Sequence, residues 1–348
     1  MKPLPVLLIT MGDPDGVGPE IIVKSFLKEK SLFDVCIPVV IGNIDIMKKA
    51  SGIAPAGRLK LAGIDADAVL QPSTPGLYGL HGRRAMNVVH LPGRTGVEYV
   101  RTATRICIAG KGKIPLVTAP VSKEKITGSG IKFSGHTEYI AGLCDVKKIA
   151  MVMASSRHMV LLVTRHIPLG DVAGSISRKE ITEQVKVVGS TVRDRFGKRL
   201  KKVIMCGLNP HLGEGGNSGR EEKNVMTPAV RALKAMGFSV HGPVSCETAF
   251  LSPTGMAMRG TRTPRGTPAR LQEAQIPPME TLIVCHYHDQ AMVPLRILYQ
   301  WNFVNLTCGL PFIRTSPGHG TAFDIAGKNI ADCSGMASAI RLALAGKI

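Results

Sequence analysis

The 348-residue chain is poor in aromatic side chains, with one Trp, five Tyr and nine Phe, so its core must be built mainly from Val, Ile, Leu and Met. Long hydrophobic runs are absent too. The longest, such as Pro5-Val6-Leu7-Leu8-Ile9 and Met159-Val160-Leu161-Leu162-Val163, are of strand length, far short of the ~20 residues of a membrane-spanning helix. The opening Met1-Lys2-Pro3 and the run behind it lack the long apolar region and small-residue cleavage site of a secretory signal, so no membrane association and a cytoplasmic location are expected. The eight cysteines contain no Cys-x-x-Cys pair, which excludes zinc-ribbon and thioredoxin-like motifs. Several sit in apolar runs, as Cys285 does in Leu282–Cys285, and read as small buried hydrophobes of a reducing compartment.

Acidic residues are the minority: 25 against 44 Lys and Arg, a net charge of +19. A basic chain invites a nucleic-acid reading. Here the charge is dispersed, and its densest tract, Met258 to Gly266, contains no ring for base stacking. An enzyme that handles anionic small molecules is the simpler account, with no nucleic-acid partner, and a basic nucleic-acid-binding protein is the distant alternative.

What is present is an alternation of short apolar runs with helix-like stretches, the pattern of an α/β protein. Strands are expected at Leu4–Thr10, Val35–Ile41, Ile114–Thr118, Val203–Leu208, Ser239–His241 and Thr281–His286. Ala150–Met153 and Met159–Thr164 suggest a hairpin, hence a partly antiparallel sheet. Helices are expected at Pro19–Lys28, Gly96–Ala109, Lys179–Phe196 and Ala337–Ala345. The stretch from Ser252 to Pro278, rich in Gly, Pro, Thr and Arg, reads as a long loop or insertion.

Five segments could carry chemistry. Met11 to Glu20 follows a strand and precedes a helix. It is either a tight turn or a loop whose backbone can approach a ligand closely. Ser134-Gly135-His136-Thr137-Glu138 could open a helix onto an anion, or be an ordinary helix cap. His166, His211 and His288 each lie just past an expected strand, where α/β proteins place ligands. Three imidazoles there could hold a divalent metal and leave a position open, although a lone His is more often structural. Asn305 to Arg314 ends in an Arg suited to bidentate anion binding or merely exposed. His319 to Gly327 is a small-residue loop with one acid, Asp324, and could equally be a plain helix-start loop.

Taken in order, "ITMGDPDGVGPEI", "VTAPVSKE", "GHTEYIA", "TRHIPL", "GLNPHLGEGG", "YHDQ" and "VNLTCGLPFIRTSPGHGTAFDIAGKNIAD" are much more specific than any one alone. From Ile9 to Asp332 the chain resembles the 4-hydroxythreonine-4-phosphate dehydrogenase family of pyridoxal 5′-phosphate synthesis. "HGTAFDIAGK" is similar to the adenosine-binding loop of the wider isocitrate and isopropylmalate dehydrogenase group. The resemblance implies a fold of two α/β/α three-layer domains around a cleft. One would comprise 1–130 with 290–348 and the NAD-binding loop 319–327. The other, 131–289, would carry dimer contacts and the 252–278 insertion. It implies a homodimer with active sites shared across the interface, NAD or NADP as oxidant, and one divalent metal (Zn, Mg or Co) per site. The matching metal ligands are His166, His211 and His288, the last reaching across the dimer. Substrate contacts match His136, Thr137, Arg296, Asn305 and Arg314, and cofactor contacts His319, Gly320, Thr321, Ala322 and Asp324. Asp289 and Glu247 match positions that tune or orient the metal site.

The implied reaction oxidises the secondary alcohol of 4-phosphonooxy-L-threonine to a β-keto acid, which loses CO2 to give 3-amino-2-oxopropyl phosphate. Three positions depart from the family pattern. Residue 296 is Arg where Lys is usual, residue 247 is Glu where Asp is usual, and 252–278 is longer. The first two leave open a related four-carbon substrate, threonate or erythronate 4-phosphate.

Overall fold

The structure, a computed structural model, describes residues 4–54, 57–66, 84–93, 95–251 and 279–346; the expected 252–278 insertion lies outside them. The chain divides into two compact units, Met1–Lys147 with Val304–Ile348, and Lys148–Phe303. The boundaries fall later than the expected 130 and 289. The helix His136–Leu143 packs on the helix Gly96–Ala109 and stays with the first unit, whereas His288–Tyr299 packs on strands of the second.

Twelve strands are described: β1 Val6–Thr10, β2 Ile37–Gly42, β3 Leu61–Asp65, β4 Met86–His90, β5 Leu116–Thr118, β6 Ala150–Ser155, β7 Met159–Leu162, β8 Lys202–Cys206, β9 Val240–Val244, β10 Thr281–Cys285, β11 Phe303–Cys308 and β12 Arg314–Pro317.

In the first unit the strand order is β3-β4-β2-β1-β5-β12-β11. All pairings are parallel except β11 with β12. β1, β2, β4 and β5 are buried at nearly every position, as strands covered on both faces must be. The cover comes from two helix groups. Gly18–Lys28 packs with Ile44–Ile53 and Ser334–Leu344, and Gly96–Ala109 packs with His136–Leu143. Local chemistry sets the starts of these helices. Asn43 Oδ1 accepts the Asp45 N–H at 2.8 Å, and Thr95 with Glu98 forms a capping box.

In the second unit the order is β6-β7-β10-β8-β9. β6 and β7 form the expected antiparallel hairpin, and the others run parallel. The long helix Arg178–Phe196 begins at Ser177, whose hydroxyl accepts the Glu180 N–H at 3.0 Å, and stops at Gly197 with φ +61°. It packs on β6 and on Thr227–Ala235, while Cys246–Leu251 and His288–Tyr299 pack on β10.

Candidate active site

In the first unit, strand register gathers a buried guanidinium and several hydroxyls. Thr307 pairs directly with Arg314 across β11 and β12, and Asn305 lies two residues before Thr307, so all three share one face. Arg314 also pairs with Leu116 of β5, which puts Thr118 within reach. The Arg314 guanidinium is 1% exposed. It donates to Thr118 Oγ1 from Nη2 at 2.6 Å and Nε at 3.1 Å, and from Nη1 to Thr307 Oγ1 at 2.9 Å and Thr137 Oγ1 at 3.5 Å. Among the described residues no carboxylate forms an ion pair with it. Burial lowers its pKa to about 10, with Glu138 working against the shift, so it is still a cation at neutral pH.

His136 and Thr137 open the eight-residue helix His136–Leu143 behind Gly135, whose φ of +153° suits glycine. The His136 ring meets the edge of Phe133, with centroids 5.7 Å apart. Burial, and then the Arg314 charge, hold its pKa down near 3, so it is a neutral imidazole. His136 Nε2 and Asn305 Oδ1 are buried and make no hydrogen bond among the described residues. A buried cation, hydroxyls, a helix N-terminus and two unused polar atoms have the chemistry that a phosphate or carboxylate would require.

The turn Met11–Glu20 and the loop 319–327, two separate candidates in the sequence, meet in this unit. The Val17 N–H donates to Thr321 O at 2.9 Å. A Cβ on Gly16 would lie 3.2 Å from that same oxygen, a tight approach that glycine eases. Lys125 Nζ lies 2.7 Å from Asp15, 3.3 Å from Asp13 and 4.4 Å from the centre of the Phe323 ring. Ala322 is held at φ +44°. Beneath the loop, the buried Glu20 carboxylate accepts the N–H groups of Gly327, Asn329 and Ala331. Thr118, Thr307 and Lys125 were not among the expected site residues, and Glu20 was named only as the end of the first candidate segment. The signal for Glu20 was an acid immediately after a Gly-Pro helix start.

In the second unit the rings of His166 and His288 face each other with centroids 5.8 Å apart. His288 Nδ1 hydrogen-bonds Asp289 Oδ1 at 2.6 Å, which aims Nε2 outward as in carboxylate-oriented metal ligands. The Glu247 carboxyl is held below its usual pKa by hydrogen bonds from its own backbone N–H and from Ser245, with electrostatic attraction to His211 a lesser cause. Among the described residues, no three His, Cys, Asp or Glu side chains group tightly enough to hold a metal. One chain therefore brings two of the three expected imidazoles together and leaves His211 apart. His211 belongs to a left-handed run, with φ of 50°, 59°, 78°, 45° and 72° from His211 to Gly215. Glu222 anchors the approach to it, accepting the N–H groups of Leu208 and Asn209, each at 2.7 Å. The Arg296 guanidinium lies 3.9 Å above the centre of the Trp301 ring and donates to Gln300 O at 3.0 Å.

The family model for pyridoxal phosphate biosynthetic protein PdxA matches residues 34–343. The chain belongs to this family. Among PdxA-type relatives, a 4-hydroxythreonine-4-phosphate dehydrogenase of Desulforapulum autotrophicum is 34% identical over 355 residues, covering 97% of this chain and 94% of that protein. A D-threonate 4-phosphate dehydrogenase of Pectobacterium atrosepticum is also 34% identical, over 97% of this chain and 98% of that one. The crystal structure of the 4-hydroxythreonine-4-phosphate dehydrogenase of Klebsiella pneumoniae superimposes with a TM-score of 0.78 at 30% identity, covering 99% and 98% of the two chains. The α/β architecture is thus that of PdxA proteins.

Proposed function

We propose that this protein is a cytoplasmic, homodimeric 4-hydroxythreonine-4-phosphate dehydrogenase. It oxidises the secondary alcohol of 4-phosphonooxy-L-threonine with NAD or NADP, and the β-keto acid loses CO2 to give 3-amino-2-oxopropyl phosphate. The observation that carries the reading is Arg314, a fully buried guanidinium that hydrogen-bonds three threonines and pairs with no carboxylate among the described residues. Burying such a charge costs free energy, which a bound anion would offset.

His136, Thr137, Asn305, Arg314 and Arg296 hold the phosphate and carboxylate. Neutral His136 can donate a hydrogen bond without adding charge beside Arg314. The loop with His319, Gly320, Thr321, Ala322 and Asp324 receives the dinucleotide, its backbone fixed by Val17 and Glu20. His166, His211 and His288 hold a divalent metal, Zn, Mg or Co, with a second copy completing the set. The facing pair His166 and His288 fits imidazole-preferring metals, and Asp289 and Glu247 orient the ligands. When bound, the metal supplies Lewis acidity at the substrate hydroxyl and the nicotinamide supplies a hydride acceptor. Val293, Ile297 and Trp301, 53%, 75% and 44% exposed, form an apolar outer face on and just after the helix His288–Tyr299, which supports the dimer.

A second reading, D-threonate 4-phosphate dehydrogenase, is favoured by the Pectobacterium relative, whose identity equals that of the Desulforapulum protein. The test is nicotinamide reduction with each phosphorylated acid in turn, with and without a chelator. Chelator-sensitive turnover of 4-phosphonooxy-L-threonine supports the first reading, turnover of D-threonate 4-phosphate alone supports the second, and turnover of neither removes both.

A further inference from the structure

In the second unit, four side-chain hydrogen bonds tie together the strand ends that precede His166, His211 and His288. β7, β10 and β8 are neighbours in the sheet and run parallel, and each histidine follows one of them within a few residues. Past the strand ends the regular ladder stops, and buried backbone groups there need other partners. Thr164 Oγ1 donates to His286 O at 2.6 Å, and the Thr164 N–H reaches the same carbonyl at 3.2 Å. This joins the segment before His166 to the segment before His288. His286 Nε2 donates to Cys206 O at 2.7 Å, and Gln290 Nε2 donates to Gly207 O at 2.6 Å. These two bonds join the segments before His288 and His211. Gln290 Oε1 accepts the His286 N–H at 2.7 Å, which closes the set.

Thr164, His286 and Gln290 are all buried. A carbonyl only accepts, so His286 carries its proton on Nε2; Nδ1 makes no hydrogen bond among the described residues. Gln290 lies in the first turn of the helix His288–Tyr299. Its amide donates at one end and accepts at the other, which neither a hydrocarbon nor a carboxylate of that length can do. The side chain that grips β8 therefore belongs to the turn that carries His288. His288 itself is half-buried, and Asp289 sets only its ring. The backbone beneath that ring is set by His286 and Gln290.

We propose that Thr164, His286 and Gln290 are positioning residues for a divalent metal held by imidazoles: through one buried network they set the spacing of the segments that carry His166, His211 and His288. The inference rests on the metal reading above and concerns residues that supply no ligand atom. Metal ligands must be held within about 0.5 Å of their productive geometry, and a strand end that slides by more than that takes its imidazole out of bonding range. Whichever copy each histidine serves, its carrier segment is fixed by the same bonds.

The full-length protein, stripped with a chelator, is titrated with Co(II) alone, and affinity is read from the visible absorption band against a competing chelator. Gln290→Leu should weaken Co(II) binding roughly 10-fold, the lower end of what outer-shell partners contribute, and should change the band. Thr164→Val removes one hydroxyl at nearly constant volume and should weaken binding less, while Thr164→Ser should restore it. Should Gln290→Leu misfold, the two Thr164 variants decide. Wild-type affinity and band shape in Gln290→Leu and Thr164→Val, with only a lowered Tm, would overturn the proposal and leave the network a purely structural one. Unchanged Co(II) binding in His166→Ala would instead overturn the metal reading itself, and this inference with it.

Discussion

Glu20 and Lys24, one turn apart on the helix Gly18–Lys28, grip the same stretch of chain. Glu20 accepts N–H groups of Gly327, Asn329 and Ala331 at 3.1, 3.3 and 3.0 Å. Lys24 Nζ donates to the carbonyls of Asn329 and Ala331 at 3.1 and 2.6 Å, and the two charges lie 3.3 Å apart. A buried ion pair with its remaining hydrogen-bonding capacity spent on one loop fixes that loop's geometry.

Glu20→Gln should therefore loosen the end of the loop that follows residue 319. The amide loses the charge and presents an NH2 toward N–H donors, at about 1.5–3 kcal/mol for charge-assisted bonds. The expected outcome is a raised KM for NAD or NADP that exceeds the fall in kcat, with Glu20→Asp recovering part of it. Steady-state kinetics at varied cofactor checks this; an unchanged KM would assign Glu20 to stability alone.

Arg314→Met removes the buried cation but keeps much of the side-chain volume. The loss of a charge-assisted contact, roughly 1.5–3 kcal/mol, should lower kcat/KM for the phosphorylated substrate by about 10- to 150-fold. Stability should change little or rise, because an uncompensated interior charge has gone. Paired kinetics and thermal melts separate the two effects. A large drop in Tm with normal kcat/KM would make Arg314 a structural residue.

Acid should destabilise the fold through its buried histidines. His136 and His158 are depressed to about 3 and about 4 by burial first, with Arg314 and Arg157 adding repulsion. On unfolding both return to about 6.5, so the unfolded chain binds more protons between these limits. Their stabilisation is fully present above about pH 6.5 and is lost as pH falls toward 4, at up to ~1.4 kcal/mol per pH unit for each. Denaturant midpoints measured from pH 7 to 5 should fall, and the fall should be shallower in His136→Asn. Parallel curves for the two proteins would refute His136's share.

The left-handed run from His211 to Gly215 includes Leu212 at φ +59°, a conformation that costs an L-residue with a Cβ about 1–2 kcal/mol. Leu212→Gly relieves this locally but makes the unfolded chain more flexible and deletes a contact with Gly207. The expected net change is within about 1 kcal/mol, much smaller than for Leu→Ala in a core. Glu222→Ala, which strips the anchor from Leu208 and Asn209, should cost more. Thermal unfolding of both variants gives the comparison.

The apolar strands β1, β2, β5, β7 and β10 were legible because unbroken Val, Ile and Leu runs admit few other readings. β3, β4 and the helix Ile44–Ile53 were not, since Leu61–Asp65 has a mixed pattern and Ile44–Ile53 carries its helix signal mainly in the Asn43 cap. β11 and β12 were hidden behind Asn305, Thr307, Arg314, Thr315 and Ser316, polar residues that read as loop. Arg314 itself could be singled out but not placed, because Arg is ordinarily a surface residue. Its partners Thr118 and Thr137 lie 196 and 177 residues away, and only the tertiary fold joins them. The histidines were visible as strand-end residues. Which two face each other depends on β7 and β10 being neighbours, a fact of topology.

The Arg296 guanidinium resting on Trp301 has a consequence for observation. Trp301 is the chain's one tryptophan, so the protein's indole emission has a single source with a cation 3.9 Å from its centre. A cation over the ring perturbs its electronic surroundings, and any anion that draws Arg296 away changes them. The unlabelled protein thus carries an optical reporter at the residue where it departs from its family's usual lysine. Phosphate or a phosphorylated acid titrated into it, with no cofactor and no turnover, reads out whether that guanidinium moves.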